Sequence, residues 1–138
     1  MSLFFNFKKL VGFEILESLY DLSNRTKRFY DKIIKEKFSQ YRPLFTINKI
    51  NEINFFNGDF LKQKWNEASI IFINATCFSS NIMTHIGTKI NKECQKGAIV
   101  VSISKQINCI SNDWELNISF KKQMSWGIAT IHIYIKRK

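Results

Sequence analysis

The chain is poor in the residues that mark several classes of protein. Its three cysteines, among 138 residues, are odd in number and lack a Cys-x-x-Cys spacing. They therefore argue against a disulfide framework or a metal site and favour a reducing, intracellular compartment. One proline and five widely spaced glycines leave no low-complexity tract. Residues 68–88 carry no charge but include several polar side chains, so no membrane span is expected.

Arginine is also scarce, although the net charge is +10. A basic surface attracts phosphates, but only four of the 21 basic residues are Arg, the better bidentate phosphate ligand. The lysines are spread from Lys8 to Lys138, and Ile, Asn, Lys and Phe are all frequent, which indicates a general composition bias. Contact with nucleic acid is possible, but no DNA-reading or RNA-reading motif supports it.

Apolar residues are abundant, and along the chain segments with the spacing of strands alternate with segments that have the spacing of helices. Short apolar runs typical of buried strands occupy residues 9–16, 53–56, 69–74 and 98–104. Helical spacing covers residues 16–38 and 82–90, the second with Gly97 as its expected C-cap. Residues 114–120 and 128–135 predict an antiparallel strand pair. The order predicts an α/β fold with a mostly parallel sheet in one domain over residues 1–138.

Several motifs carry a resemblance to a known family. They are a strand ending in Glu14, Gly58-Asp59-Phe60-Leu61 followed by Trp65, a strand ending in Asn74, the run 97–102, and Ser125-Trp126. In this order they resemble the later part of a class I S-adenosylmethionine-dependent methyltransferase. The chain is most similar to the Disruptor of telomeric silencing (Dot) family of histone-lysine methyltransferases, over roughly residues 5–136. The resemblance implies a Rossmann-like sheet and S-adenosylmethionine as cofactor.

The resemblance also implies roles for three cofactor residues. Glu14 would accept hydrogen bonds from the ribose hydroxyls, Asp59 would accept one from the adenine amine, and Phe60 would lie against the base. Two of them have a plainer alternative: Glu14 as a solvated charge at a strand end, and Asp59 as a turn residue after Asn57-Gly58.

Three further residues are implied on the substrate side. Asn74 would be the catalytic residue, with its amide oxygen holding a lysine amine in line with the methyl group. Phe78 and Trp126 would line an apolar lysine channel, which favours the neutral amine. The alternatives are a strand-capping amide for Asn74 and ordinary core aromatics for Phe78 and Trp126.

Two departures from the family pattern qualify the expectation. No glycine-rich loop is present, so the chain is expected to begin inside the domain, without the first strand, and to bind the cofactor weakly by itself. Ala75-Thr76-Cys77 follows Asn74 in place of the Pro-Pro of many amine-modifying methyltransferases, which favours the Dot family.

The predicted function is methyl transfer to a protein lysine, with a histone or nucleosome as partner and the nucleus as location. A cytoplasmic location is expected if the substrate is not a histone. Three alternatives stay open: an inactive methyltransferase acting as a binding module, a class I methyltransferase with a different substrate, and a basic nucleic-acid-binding domain.

Overall fold

The computed structural model describes residues 7–34 and 52–138. The chain divides into two compact units, Met1–Lys62 and Gln63–Lys138, and each is described by itself. The predicted single domain stays a prediction. Within the described residues, no helix has the length and apolar character needed to cross a membrane.

The first unit contains a pair of parallel strands and a helix. Its elements are β1 (Lys9–Glu14), α1 (Glu17–Phe29) with a π-helical turn at Tyr30–Ile34, β2 (Glu52–Asn57) and a 3-10 turn at Phe60–Lys62. Lys9 pairs with Glu52, and Glu14 with Asn57. The helix predicted over residues 16–38 is seen as far as residue 34, and its remainder lies outside the described residues.

The second unit is a four-stranded sheet with one long helix. Its elements are β3 (Ile70–Asn74), α2 (Ser80–Glu93), β4 (Ile99–Ile103), β5 (Trp114–Met124) and β6 (Gly127–Lys136). The strand order is β3-β4-β6-β5. β3 is parallel to β4, and β6 is antiparallel to both β4 and β5. The predicted antiparallel pair is confirmed, and both of its strands extend further toward their shared turn.

Helix α2 provides much of the core of the second unit. Met83, Ile86 and Ile90 recur at helical spacing and are fully buried, so one stripe of the helix is apolar. Its N-terminus is capped by the Ser79 hydroxyl, which accepts from the Ile82 amide. The predicted C-cap is wrong: the helix ends at Glu93, and Gly97 (φ 85°) instead forms the turn that enters β4.

The loop between β4 and β5 packs closely on α2. A Cβ at Gly87 would lie 1.8 Å from the carbonyl oxygen of Asn108. The Asn91 side chain donates to the Cys109 carbonyl at 2.8 Å and accepts from the Ser111 amide at 3.0 Å. The Asn91 side chain therefore holds the loop against the helix, and the lack of a side chain at Gly87 allows the close approach.

Strand β3 is less covered than its sequence suggests. The run 69–74 predicts a central strand buried on both faces, yet Ile70 and Phe72 are 43% and 56% exposed. Among the described residues β4 is the only strand that pairs with β3, so β3 is an edge strand there. The first strand implied by the resemblance is not among the described strands.

Candidate functional site

Asn74 lies where parallel strands β3 and β4 both end. It is the last residue of β3 and pairs with Ile103, the last residue of β4. The carboxyl edge of parallel strands is where open α/β sheets bind ligands. Its side chain is exposed, and its Oδ1 accepts a hydrogen bond from the Thr76 hydroxyl at 2.8 Å. The Asn74 side-chain amide is thus hydrogen-bonded to the loop that follows β3 and is still accessible.

A second hydroxyl lies at this edge, on the residue that follows β4. Ser104 Oγ lies 3.0 Å from Thr76 Oγ1, and the Ser104 amide donates to the Thr130 carbonyl of β6 at 2.7 Å. Ser104 has φ 73°, which lies in the left-handed region that non-glycine residues rarely adopt. Neither hydroxyl is among the residues predicted from the sequence. The Asn-x-Thr spacing was a visible signal for a local side-chain turn, whereas nothing in the sequence indicates the backbone of Ser104.

Phe78 is positioned by the loop after β4 as well. The Lys105 amine donates to the Phe78 carbonyl, and the Ser102 hydroxyl donates to the Lys105 carbonyl at 2.7 Å. The Phe78 amide donates to the Ala75 carbonyl at 3.1 Å, and Ala75 is fully buried. The β3–α2 loop therefore has a fixed backbone, with the half-buried Phe78 ring four residues after Asn74.

Trp126 lies in the tight turn between β5 and β6. Met124 pairs with Gly127, so Ser125 and Trp126 form the turn, and Trp126 is 59% exposed. Because β6 runs antiparallel to β4 and Ile131 pairs with Ile103, the turn extends beyond the carboxyl edge of β3 and β4. Trp126 is thus an exposed aromatic in a turn beyond the edge that carries Asn74, and its exposure argues against the core-aromatic alternative. Its role in binding stays a prediction.

Glu14 ends β1 at the carboxyl edge of the first sheet. Its Oε1 accepts from the Leu16 amide at 2.9 Å, just before α1. Its carbonyl accepts from the Asn57 side chain at 3.2 Å and from the Gly58 amide at 2.9 Å. The carboxylate is thus oriented by the start of a helix, and its second oxygen has no partner among the described residues. It can accept hydrogen bonds from a hydroxyl-bearing ligand.

Asp59 follows β2 at this same edge. Its Oδ1 accepts from the Leu61 amide at 2.9 Å, and its carbonyl accepts from the Lys62 amide at 3.1 Å. The aspartate therefore has the turn-forming role that was its plainer alternative, and it retains one carboxylate oxygen for another donor. Phe60 comes next, half-buried, in the 3-10 turn.

The six predicted residues therefore form two groups. Glu14, Asp59 and Phe60 lie at the carboxyl edge of the sheet in the first unit. Asn74 and Phe78 lie at the carboxyl edge of the sheet in the second unit, and Trp126 lies in the turn beyond that edge. The first group offers carboxylate acceptors and a ring, and the second offers an amide and two aromatic side chains.

The buried thiol of the second unit is not a candidate nucleophile. Cys94 is 5% exposed, and burial raises the pKa of its thiol to about 11. Since the thiolate is the reactive form, Cys94 is inert at neutral pH.

Comparison with known proteins gives one family. The chain matches the family described as histone methylation protein DOT1 over residues 1–136. This match confirms the resemblance that the motifs indicate, and with it S-adenosylmethionine as the cofactor of the family. No curated protein sequence matches the chain.

Solved structures with a similar fold include three methyltransferase-type proteins. An RNA methyltransferase from Salinibacter ruber, in complex with S-adenosyl-L-homocysteine, has a TM-score of 0.63 at 12% identity, covering 94% of this chain and 67% of its own. A protein named as a methylase, HI0767 from Haemophilus influenzae, has a TM-score of 0.59 at 16% identity, covering 95% and 74%. A protein named as a methyltransferase, yhhF from Escherichia coli, has a TM-score of 0.65 at 11% identity, covering 94% and 64%. These similarities confirm the Rossmann-like methyltransferase fold.

Proposed function

Because this chain belongs to the histone methylation protein DOT1 family, we propose that it transfers a methyl group from S-adenosylmethionine to a lysine amine of a protein, a histone in the first instance. The observation that carries the proposal is the family match over residues 1–136. That match covers both compact units, so we propose that they belong to one methyltransferase domain. A histone substrate would place the protein in the nucleus.

The cofactor would be held by the first unit. Glu14 and Asp59 each retain a carboxylate oxygen beyond the one that accepts a backbone amide. S-adenosylmethionine offers matching donors, since its ribose has two hydroxyls and its adenine an exocyclic amine. Glu14 would accept from the ribose, Asp59 from the adenine, and Phe60 would contact the base. When bound, the cofactor supplies an activated methyl group on a sulfonium.

The amine would be oriented by the second unit. Asn74 Oδ1 has two lone pairs and gives one to Thr76, which leaves one for an N–H of the incoming lysine. Phe78 and Trp126 would provide apolar walls, which favour the neutral amine because desolvation disfavours its charged form. The protein's contribution is then alignment of two reactants and exclusion of water.

Two substitutions separate these roles. Asn74→Ala should lower kcat on a nucleosome substrate by about a hundredfold, the cost of a misplacement of about 1 Å, and should leave cofactor affinity unchanged. Glu14→Ala should weaken cofactor binding by roughly tenfold or more, since a hydrogen bond to a charged group is worth about 1.5–3 kcal/mol. Calorimetry for the cofactor and steady-state rates for transfer provide the two measurements.

Matched controls and alternative substrates complete the experiment. Asn81→Ala changes an exposed asparagine on α2, and Glu52→Ala changes an exposed carboxylate at the opposite edge of the first sheet; neither should alter rate or affinity. Nucleosomes, free histones and RNA are assayed in parallel. Transfer to RNA alone would overturn the protein-lysine proposal, and cofactor binding without transfer to any substrate would favour the binding-module alternative.

A further inference from the structure

The two hydroxyls beside Asn74 form a chain with a defined direction. A hydroxyl has a single hydrogen to donate. Thr76 donates its hydrogen to Asn74 Oδ1 at 2.8 Å, so in the 3.0 Å contact between Thr76 and Ser104 the donor is Ser104. We propose that Thr76 and Ser104 are positioning residues that fix the Asn74 carboxamide for an N–H-bearing substrate. This inference rests on the proposed function of Asn74.

The direction of the hydrogen-bond chain matters because a side-chain carboxamide can flip by 180°. Rotation by half a turn exchanges an acceptor oxygen for a donor NH₂ group, and the two are similar in size. A hydroxyl that donates to Oδ1 holds the oxygen in place and leaves its second lone pair available. In this orientation the Asn74 oxygen can accept a hydrogen bond from an amine. Thr76 and Ser104 therefore favour the orientation of Asn74 in which its oxygen faces an N–H donor.

The backbone of Ser104 supports this assignment. Its φ of 73° lies in the region that glycine adopts at low cost and other residues do not. The conformation is held by the Ser104 amide, which donates to Thr130 at 2.7 Å, and by the pairing of Ile103 with Ile131. A glycine here would relieve the backbone but would lack the hydroxyl that reaches Thr76. Strain of this kind is concentrated at functional sites.

Three variants test the proposal by turnover and stability together. Thr76→Val keeps the shape and removes the hydroxyl, Thr76→Ser keeps the hydroxyl, and Ser104→Gly removes the second hydroxyl while relieving the backbone. Thr76→Val and Ser104→Gly should lower kcat about tenfold, the factor that corresponds to loss of one neutral hydrogen bond, with KM for S-adenosylmethionine unchanged. Thr76→Ser should restore the rate. Ser104→Gly should melt no earlier than the parent protein, a combination that a merely structural role would not give.

A spectroscopic measurement tests the network without turnover. The Asn74 side-chain amide gives an NMR cross-peak that is assigned by its loss in Asn74→Asp. Thr76→Val and Ser104→Gly should shift this cross-peak, whereas Thr88→Val, a hydroxyl loss on the exposed side of α2, should not. An unmoved cross-peak in both variants would overturn the proposal.

The two measurements also separate this inference from the proposed function. If the parent protein transfers no methyl group to any protein, the proposed function fails, and the cross-peak alone decides whether the hydroxyl chain exists. If Asn74→Ala abolishes transfer while Thr76→Val and Ser104→Gly keep the full rate, the function stands and the positioning role is wrong.

Discussion

His132 is a titratable residue buried within the antiparallel sheet. Its Nδ1 lies 2.6 Å from the Ser119 hydroxyl on β5, and it pairs with Ser102 of β4. It is 6% exposed, and burial lowers its pKa because desolvation disfavours the imidazolium. The neutral ring is therefore the form that the folded sheet accommodates.

This burial predicts a stability that falls in acid. The folded-state pKa is below the ordinary value of 6.5, so the unfolded chain binds the proton more readily and the His132 contribution is complete above about pH 6.5. It is lost as the pH falls below that value, by at most about 1.4 kcal/mol per pH unit for one proton. Denaturant unfolding between pH 7.5 and 5.5 measures it. His132→Gln should flatten the pH dependence, and His85→Gln, at the exposed second histidine, should not.

Lys136 shows how a buried charge can be structural. Its amine donates to the carbonyls of Asn91 and Cys94, at 3.0 and 2.7 Å, and lies 5.8 Å from the centroid of the Trp114 ring. These carbonyls are at the end of α2, where the helix leaves acceptors unpaired and a positive charge is favourable. The lysine therefore joins the end of β6 to the end of α2 and is not a binding residue.

At the scale of elements, α2 and the loop after β4 depend on a glycine. In an open helix, Gly→Ala stabilises by roughly 0.5–1 kcal/mol. At Gly87 the added carbon would lie 1.8 Å from the Asn108 carbonyl, so the loop has to move and the sign reverses. Gly87→Ala should destabilise by about 1–3 kcal/mol, the range for overpacking.

The adjacent residue gives the control. Thr88 is exposed on the same turn of α2, so Thr88→Ala should leave the melting temperature unchanged or raise it slightly. Thermal unfolding of the two variants compares them directly. A stabilised Gly87→Ala protein would show that the loop does not rest on the helix as described.

Helices and strands were predictable where the spacing of their own apolar residues defines them. The stripe of Met83, Ile86 and Ile90 placed α2 correctly, and alternation in β5 identified the antiparallel pair. The exposure of Ile70 and Phe72 could not be predicted, because burial of a strand depends on which neighbours cover it. The predicted end of α2, near Gly97, lies beyond its observed end at Glu93. Gly97 is a turn residue, and glycine is favoured both in turns and at helix C-caps.

At the scale of the whole molecule, the β5–β6 turn carries exposed apolar side chains. Trp126 and Ile128 are 59% and 72% exposed at the β5–β6 turn. If Trp126 contacts the substrate, Trp126→Ala should raise KM for the protein substrate roughly tenfold, since truncation of a contacting Trp costs more than about 1 kcal/mol. The melting temperature should hardly change, because exposed substitutions usually stay within about 0.5 kcal/mol.

Ile128→Ala serves as the comparison because it removes another exposed apolar side chain near the same turn. It should leave both KM and stability close to the parent values. A Trp126→Ala protein that melts several degrees lower with unchanged KM would make the tryptophan a structural residue of the hairpin.

The candidate site was predictable only in part. The family resemblance implied roles for Glu14 and Asn74, and their places at the ends of apolar runs predicted that they lie at a sheet edge. Thr76, the hydroxyl partner of Asn74, follows β3, and Ser104, which contacts Thr76, follows β4 and has a left-handed backbone. Such a contact depends on strand register and on a conformation that serine does not favour, so the sequence alone does not reveal it.

The position of β6 has a consequence for synthesis on the ribosome. β6 is made after β5 but lies between β4 and β5 in the sheet. While the nascent chain emerges, β4 therefore lacks its antiparallel neighbour, and β5 has no strand to join until residues 127–136 have left the exit tunnel. Apolar strand edges are open to intermolecular pairing during that interval. The β5–β6 hairpin, with its tight turn, can form first and dock through β6, so the sheet closes only after residues 127–136 have emerged from the ribosome.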